Sequence, residues 1–119
     1  MISALNMESK KFRFSITDKA DSDLDEIVRY ISEELLEPKA ASSFIERFLS
    51  VVDDICVLPE SGALVDNDFV SNRFIRHKMV GNYIVYYLPD NDLKVCTVLR
   101  VVYGGRDQSG ILKRLGDDE

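Results

Sequence analysis

Long apolar runs are missing from this sequence: no stretch approaches the ~18 consecutive apolar residues that cross a bilayer, which excludes a helical membrane protein. The opening segment, Met1 to Lys11, also lacks the basic-then-apolar layout of a secretory signal, so the expected location is the cytoplasm. Cysteine is scarce. Cys56 and Cys96 lie far apart, each in an apolar stretch, and with a single histidine, His77, and no CxxC they cannot complete a usual metal site. Both read as buried thiols, and no cofactor or metal is expected. Positive charge is also in deficit: 15 Lys and Arg face 21 Asp and Glu, a net −6. That balance disfavours general nucleic-acid binding, whose affinity comes mostly from cations neutralising phosphates, and no direct sequence-specific contact to nucleic acid is expected.

What remains is an ordinary soluble composition, 45% hydrophobic and 30% charged over 119 residues, which fits one domain with a core large enough to need no staple. The charge is unevenly spread. Between Ser71 and Arg106 the basic residues are Arg73, Arg76, Lys78, Lys94, Arg100 and Arg106, against Asp90 and Asp92 alone, so this segment carries +4 within a chain of −6. Such asymmetry points to one surface that receives an anionic partner.

Phe12, Phe14 and Ile16 alternate with polar residues as a half-buried strand does, while Met1 to Lys11 shows no period and reads as a flexible tail. Thr17 or Asp18 can cap a helix, and the aspartates that follow suit its positive end. Leu24, Ile27, Val28, Ile31 and Leu35 then recur at spacings of three and four, predicting a first helix from about Lys19 to Leu36. Pro38 forces a turn and starts a second helix, whose apolar stripe runs through Ala41, Phe44, Phe48, Val52 and Ile55, so the two form an antiparallel hairpin. Leu58-Pro59-Glu60-Ser61-Gly62 ends it, and the chain to Val70 reads as an irregular loop.

The remainder is β-rich: Arg73 to Val80, Tyr83 to Leu88 and Lys94 to Tyr103 form a meander, with turns at Gly81-Asn82 and Pro89 to Asp92. The last run is apolar on both alternations, as a central strand covered on both faces would be. Asp107 to Glu119 reads as a polar tail with a short apolar contact at Ile111, Leu112 and Leu115. The expected fold is α+β: an N-terminal strand and a two-helix antiparallel hairpin on an antiparallel or mixed sheet of about four strands, within a domain from 12 to 112 followed by a tail from 113 to 119.

Five segments in this order resemble the RelE/ParE superfamily of toxins from type II toxin–antitoxin systems. They are Ala20 to Ile27 with Tyr30-Ile31, the pair Ala40-Ala41, Arg76, Val80 to Tyr87, and Leu99 to Asp107. The resemblance covers about Phe12 to Leu112. It implies a growth inhibitor neutralised by a cognate antitoxin, with either DNA gyrase or the ribosome as target. ParE-like members inhibit gyrase by binding, whereas RelE-like members cut messenger RNA on the ribosome. The nuclease chemistry needs a base, cations around the pentavalent phosphate and an acid for the leaving oxygen. In RelE-like nucleases an arginine usually follows the aromatic or histidine of the second meander strand; here Ile84 follows Tyr83. That change and the acidic balance place a ParE-like binding inhibitor first, a RelE-like ribosome-dependent endoribonuclease second and a non-toxic antitoxin-binding relic third.

Each candidate side chain has a plainer reading beside the functional one. Arg76, Arg100, Tyr103 and Arg106 are the target-binding candidates, and with His77 they are the catalytic candidates if the chain is a nuclease. His77 is the chain's one histidine, the residue type sought first for a general base at physiological pH, or else an exposed strand histidine between Arg76 and Lys78. Arg100, in an apolar strand, must reach the sheet surface or meet a carboxylate. Tyr83, Tyr86, Tyr87 and Tyr103 stack on bases or pack across the sheet. The acidic run of the first helix is a solvated face or a docking surface.

Overall fold

The computed structural model describes residues 11–65, 70, 72–105 and 108–115. The expected tail before Lys11 and the chain end beyond Leu115 lie outside the described residues. Strand β1 is Arg13–Ile16, and helix α1 is Asp18–Arg29, prolonged by a π-helical turn Tyr30–Glu34. Helix α2 is Pro38–Val57, followed by a single 3₁₀ turn at Pro59–Ser61. Strands β2 to β5 are Ala63–Leu64, Arg76–Val80, Tyr83–Asp90 and Val95–Tyr103, and helix α3 is Ser109–Arg114.

Thr17 rather than Asp18 caps α1: its Oγ1 accepts from the Ala20 amide at 3.1 Å. The predicted helix to Leu36 is broken earlier. The Leu35 amide bonds back to the Tyr30 carbonyl at 3.0 Å, five residues behind, which inserts one residue into the helical ladder. The insertion shifts the apolar phase, so Ile27 and Ile31 stay buried while Leu35 turns out and is half exposed. At Glu37, before Pro38, the backbone leaves helical space with φ −125° and ψ 69°, as the proline ring demands, and α2 restarts in a new direction.

The sheet has five strands in the order β1-β5-β4-β3-β2, with β1 parallel to β5 and the other neighbours antiparallel. It is therefore mixed, and the fifth strand corrects the expected four. Ala63 and Leu64 pair with His77 and Arg76 inside a segment that reads as loop, because two residues are too few to show alternation. Between β4 and β5, Tyr86 faces Arg100 while Tyr87 faces Val98, so Leu99 is an extra residue that bulges the pair.

Both faces of β5 are covered, and the bulge explains why residues of different parity share one core. Cys96, Val98 and Val101 enter one core with Ile27, Phe44, Phe48, Val52, Val85 and Tyr87 beneath the helical hairpin. Leu99 and Val102 enter a second core with Ile75, Tyr86, Ile111, Leu112 and Leu115 on the opposite face. The apolar contact expected near the C-terminus is thus a helix, α3, that covers the second face. Leu24 packs against the first core only partly buried.

Both thiols are buried as expected, and the Cys96 Sγ lies 3.5 Å from the Ile55 carbonyl. Burial, then the neighbouring Cys56, pushes the Cys96 pKa up to about 12, so the thiol stays protonated at neutral pH. Phe48 is 3% exposed at the centre of the hairpin contact, whereas Val57, on the same helix, is 58% exposed. Phe48→Ala is expected to cost about 3 to 5 kcal/mol in urea unfolding and Val57→Ala about 0.5 or less. Equal losses at the two positions would mean that the hairpin packs by another face.

Candidate functional site

Among the described residues, Arg76 and Arg100 do not converge. Arg76 pairs in register with Tyr87, whose side chain lies in the hairpin-side core, while Arg100 pairs with Tyr86, whose side chain lies in the other. By strand alternation the two arginines leave opposite faces. Tyr103 faces Tyr83 at the far end of β4 from Arg76, about 13 Å along the strand at ~3.3 Å per residue. Arg106 lies outside the described residues.

Arg100 meets a carboxylate, one of the two outcomes its sequence context demands. Its Nε and Nη2 donate to the two Asp23 carboxylate oxygens at 2.8 and 3.0 Å, and both side chains are largely buried. The Val101 amide donates to Asp23 as well, at 2.9 Å. Strand β1 pairs with β5 only as far as Val98, so beyond it the outer edge of β5 would be bare. Thr17 and Asp23 supply the missing partners: the Thr17 hydroxyl donates to the Leu99 carbonyl at 2.9 Å, and Asp23 accepts from Val101. Asp23 lay in the acidic run that reads as a solvated face. The signal that could have singled it out was Arg100 itself, a charge in an apolar strand that needs a partner.

Arg76 holds the Leu-Pro-Glu-Ser-Gly loop. Its Nη1 donates to the Gly62 carbonyl at 2.7 Å and to the Glu60 carbonyl at 3.2 Å, with the Glu60 carboxylate 3.9 Å from Nη2. Tyr87, fully buried, fixes the same loop: its hydroxyl donates to the Pro59 carbonyl at 2.7 Å and accepts from the Gly62 amide at 2.9 Å. Gly62 fits because it has no side chain, since a Cβ there would stand 2.6 Å from the Tyr87 oxygen and 2.7 Å from the His77 carbonyl. Burial raises the Tyr87 pKa, against the smaller lowering effects of the Gly62 amide and Arg76.

His77 points to the face opposite Arg76, its ring 6.4 Å from that of Tyr86. The Tyr86 hydroxyl donates to the Gln108 side-chain oxygen at 3.0 Å. Ile84 packs against the second core, so the position where RelE-like nucleases place an arginine is apolar and structural here. Among the described residues, no group of three His, Cys, Asp or Glu side chains is placed to share a metal ion. None of the described helices is long and apolar enough to cross a membrane.

Tyr103 belongs to a different constellation. Its ring sits edge-on to Tyr83 at 5.9 Å, and Tyr83 is braced from below by Phe44 at 5.2 Å. With Tyr30 these rings line a cleft between α1 and the end of β5, edged by Asp23 and Glu26. Packing across the sheet, the plainer reading of Tyr83, Tyr86 and Tyr87, is what the structure gives them, whereas Tyr103 keeps half its surface open.

A two-helix hairpin on one face of a mixed five-stranded sheet, with a short helix on the other, is an architecture shared with chains of toxin–antitoxin assemblies. The chromosomal ParDE system from P. aeruginosa contains a chain similar to this one, with TM-score 0.62 and 18% identity over 79% of this chain and 97% of that one. A chain of the RelBE2 toxin–antitoxin complex from Mycobacterium tuberculosis matches with TM-score 0.55 and 18% identity, over 78% and 98% of the two chains. A chain of the archaeal RelE–RelB complex from Pyrococcus horikoshii OT3 matches with TM-score 0.54 and 21% identity, over 81% and 98%. A sequence search of curated proteins finds no match. The family model for the ParE toxin of type II toxin–antitoxin systems, parDE, matches residues 14–108, and the chain belongs to that family. It is a type II toxin of the RelE/ParE superfamily.

Removing either partner of the Asp23–Arg100 pair strands a charge in a largely enclosed site. Asp23→Ala is therefore expected to cost about 3 to 5 kcal/mol in chemical denaturation, and Asp23→Ala with Arg100→Ala much less than the sum of the two single changes. Additive losses would show that the two side chains are not coupled.

Tyr87→Phe leaves the Gly62 amide and the Pro59 carbonyl without their shared partner and is expected to cost about 1 to 3 kcal/mol. The fold holds the Tyr87 phenol above its ordinary 10.0, so its contribution is complete below pH 10 and lost as the pH rises through the folded value. The wild type should therefore lose stability above about pH 10, and Tyr87→Phe should fall less steeply there. An unchanged alkaline slope would remove Tyr87 from the cause.

Proposed function

We propose that this chain inhibits growth by binding an essential target, DNA gyrase, as a ParE-like toxin, and that a cognate antitoxin neutralises it by covering part of its surface. The observation that carries the reading is the engagement of Arg76 and Arg100. A ribonuclease of this fold would need free cations around the scissile phosphate. Arg100 is instead spent on Asp23, Arg76 on the Glu60 and Gly62 carbonyls, and Ile84 stands in the apolar second core. Family membership supports the toxin and antitoxin roles, and the assemblies named for the similar structures support an antitoxin as partner. Target contact then falls to Tyr103 and to Arg106, which follows it at the exit of β5.

The second reading, a RelE-like endoribonuclease, is favoured by one feature: His77 and Lys78 are adjacent on β3 and only partly buried. The third, a relic that binds antitoxin without toxicity, requires neither activity. Induction of the chain in a bacterial host separates all three. Labelled thymidine incorporation is expected to stop before amino-acid incorporation, and Arg106→Glu is expected to relieve the arrest while leaving antitoxin binding intact. Translation stopping first, with messenger RNA cut in codon register and the cuts lost in His77→Ala, would establish the nuclease. Normal growth with antitoxin still bound would establish the relic.

A further inference from the structure

On α1, Asp23, Glu26 and Tyr30 recur at spacings of three and four and so share one face, which looks across at the end of the sheet. There Tyr83 and Tyr103 are register partners, with Val101 buried behind them. The result is a cleft of about 630 Å³ whose walls are three tyrosine rings and whose rim carries two carboxylates. Tyr30 is 50% exposed and Tyr103 54%, so each keeps about half of its surface open to the solvent. Among the described residues lining the cleft none is basic. Asp23 is already bonded to Arg100, whereas Glu26 is exposed and turned to the solvent. The π turn begins at Tyr30, the residue that closes the cleft on the helical side.

Open aromatic faces attract a cation through the ring quadrupole, and a carboxylate at the rim adds a direct charge partner. Of the basic side chains, arginine fits both at once: its planar guanidinium stacks on a ring while its fork of N–H donors engages a carboxylate. A phosphate or carboxylate would meet Glu26 and find no cation in the lining. We infer that this cleft receives an arginine side chain presented by the antitoxin, anchored between Tyr30 and Tyr103 and paired with Glu26. The inference deepens the antitoxin reading and rests on it only for the identity of the chain that carries the arginine. Because Tyr103 also flanks the exit segment proposed to meet the target, an arginine seated here places the neutralising partner over that segment.

The cleft can be tested without the partner. Arginine amide is titrated into the full-length protein while the tyrosine ring resonances of residues 30, 83 and 103 are followed by NMR, with citrulline amide as the uncharged isostere. Saturable shifts confined to those rings are expected with arginine amide, at about millimolar affinity for so small a ligand. Affinity should fall about fivefold in Tyr103→Ala and by a similar factor in Glu26→Gln, and further in the double variant. Both positions are exposed, and unchanged thermal unfolding of each variant confirms that the fold is intact. Equal shifts with citrulline amide would overturn the proposal in favour of a neutral apolar cleft. Shifts that survive both substitutions would place the cation elsewhere. Either failure leaves the antitoxin reading standing, whereas failure to recover an antitoxin would leave a proven arginine cleft in place.

Discussion

The carboxylate of Asp23 is where helix and sheet are joined, and the rest of the molecule depends on that joint. Strand β1 is too short to cover β5 along its full length, so the edge beyond Val98 would expose unpaired backbone groups and the Arg100 charge. Edge groups of that kind must be paired, blunted or covered. One helical side chain covers them by accepting from Arg100 twice and from the Val101 amide once. The orientation of α1 follows from this, because Thr17 fixes its first turn to Leu99 and Asp23 fixes its second to Val101. A hydrophobic pair of similar volume could stabilise as well, but it could not satisfy the strand amide. The charged pair thus sets where the hairpin sits as much as how firmly.

With the hairpin so placed, the sheet has a second face to protect. Strand β5 supplies both cores within nine residues, and the Leu99 bulge shifts its phase so that Val101 joins Cys96 and Val98 on the hairpin side while Leu99 and Val102 face the other. Helix α3 then becomes part of the fold. Its Ile111 and Leu112, with Leu115 just past its end, cover Tyr86, Leu99 and Val102.

The elements legible in the sequence were those that repeat a period. The hairpin stripe from Leu24 to Ile55 and the three-stranded meander are long enough for spacing to define a face. What was illegible is local and aperiodic. One inserted residue at Tyr30–Glu34 turns Leu35 outward, and the two-residue β2 exists because β3 offers it an edge. The site was harder to read for a related reason. Arg100 announced its need for a carboxylate, yet nothing in the spacing says which of the many acidic residues of α1 supplies it. Arg76 looked available for a phosphate because backbone carbonyls, its actual acceptors, leave no mark in a sequence. The aromatic cleft joins Tyr30 to Tyr103 across more than half of the chain, and only the folded register brings them together.

The charge asymmetry can now be assigned a physical cause. A +4 segment in an acidic chain reads at first as a surface waiting for an anion, and long-range attraction does reward such surfaces. Two of its cations, Arg76 and Arg100, point to acceptors of the same chain, and Lys94 lies over the Phe12 ring at 5.2 Å. Of these, Arg100 is matched by the acidic helix, Arg76 by carbonyls of the Leu-Pro-Glu-Ser-Gly loop and Lys94 by an aromatic ring. Among the described residues that line the cleft, what faces the solvent is the opposite sign, the exposed Glu26 among half-open tyrosines. A surface of that kind selects a basic protein partner more readily than a nucleic acid, because its aromatic faces and its carboxylate both favour a cation. The same segment that suggested an anion-binding surface from the sequence thus holds, in the folded chain, two of its arginines on acceptors of the chain itself.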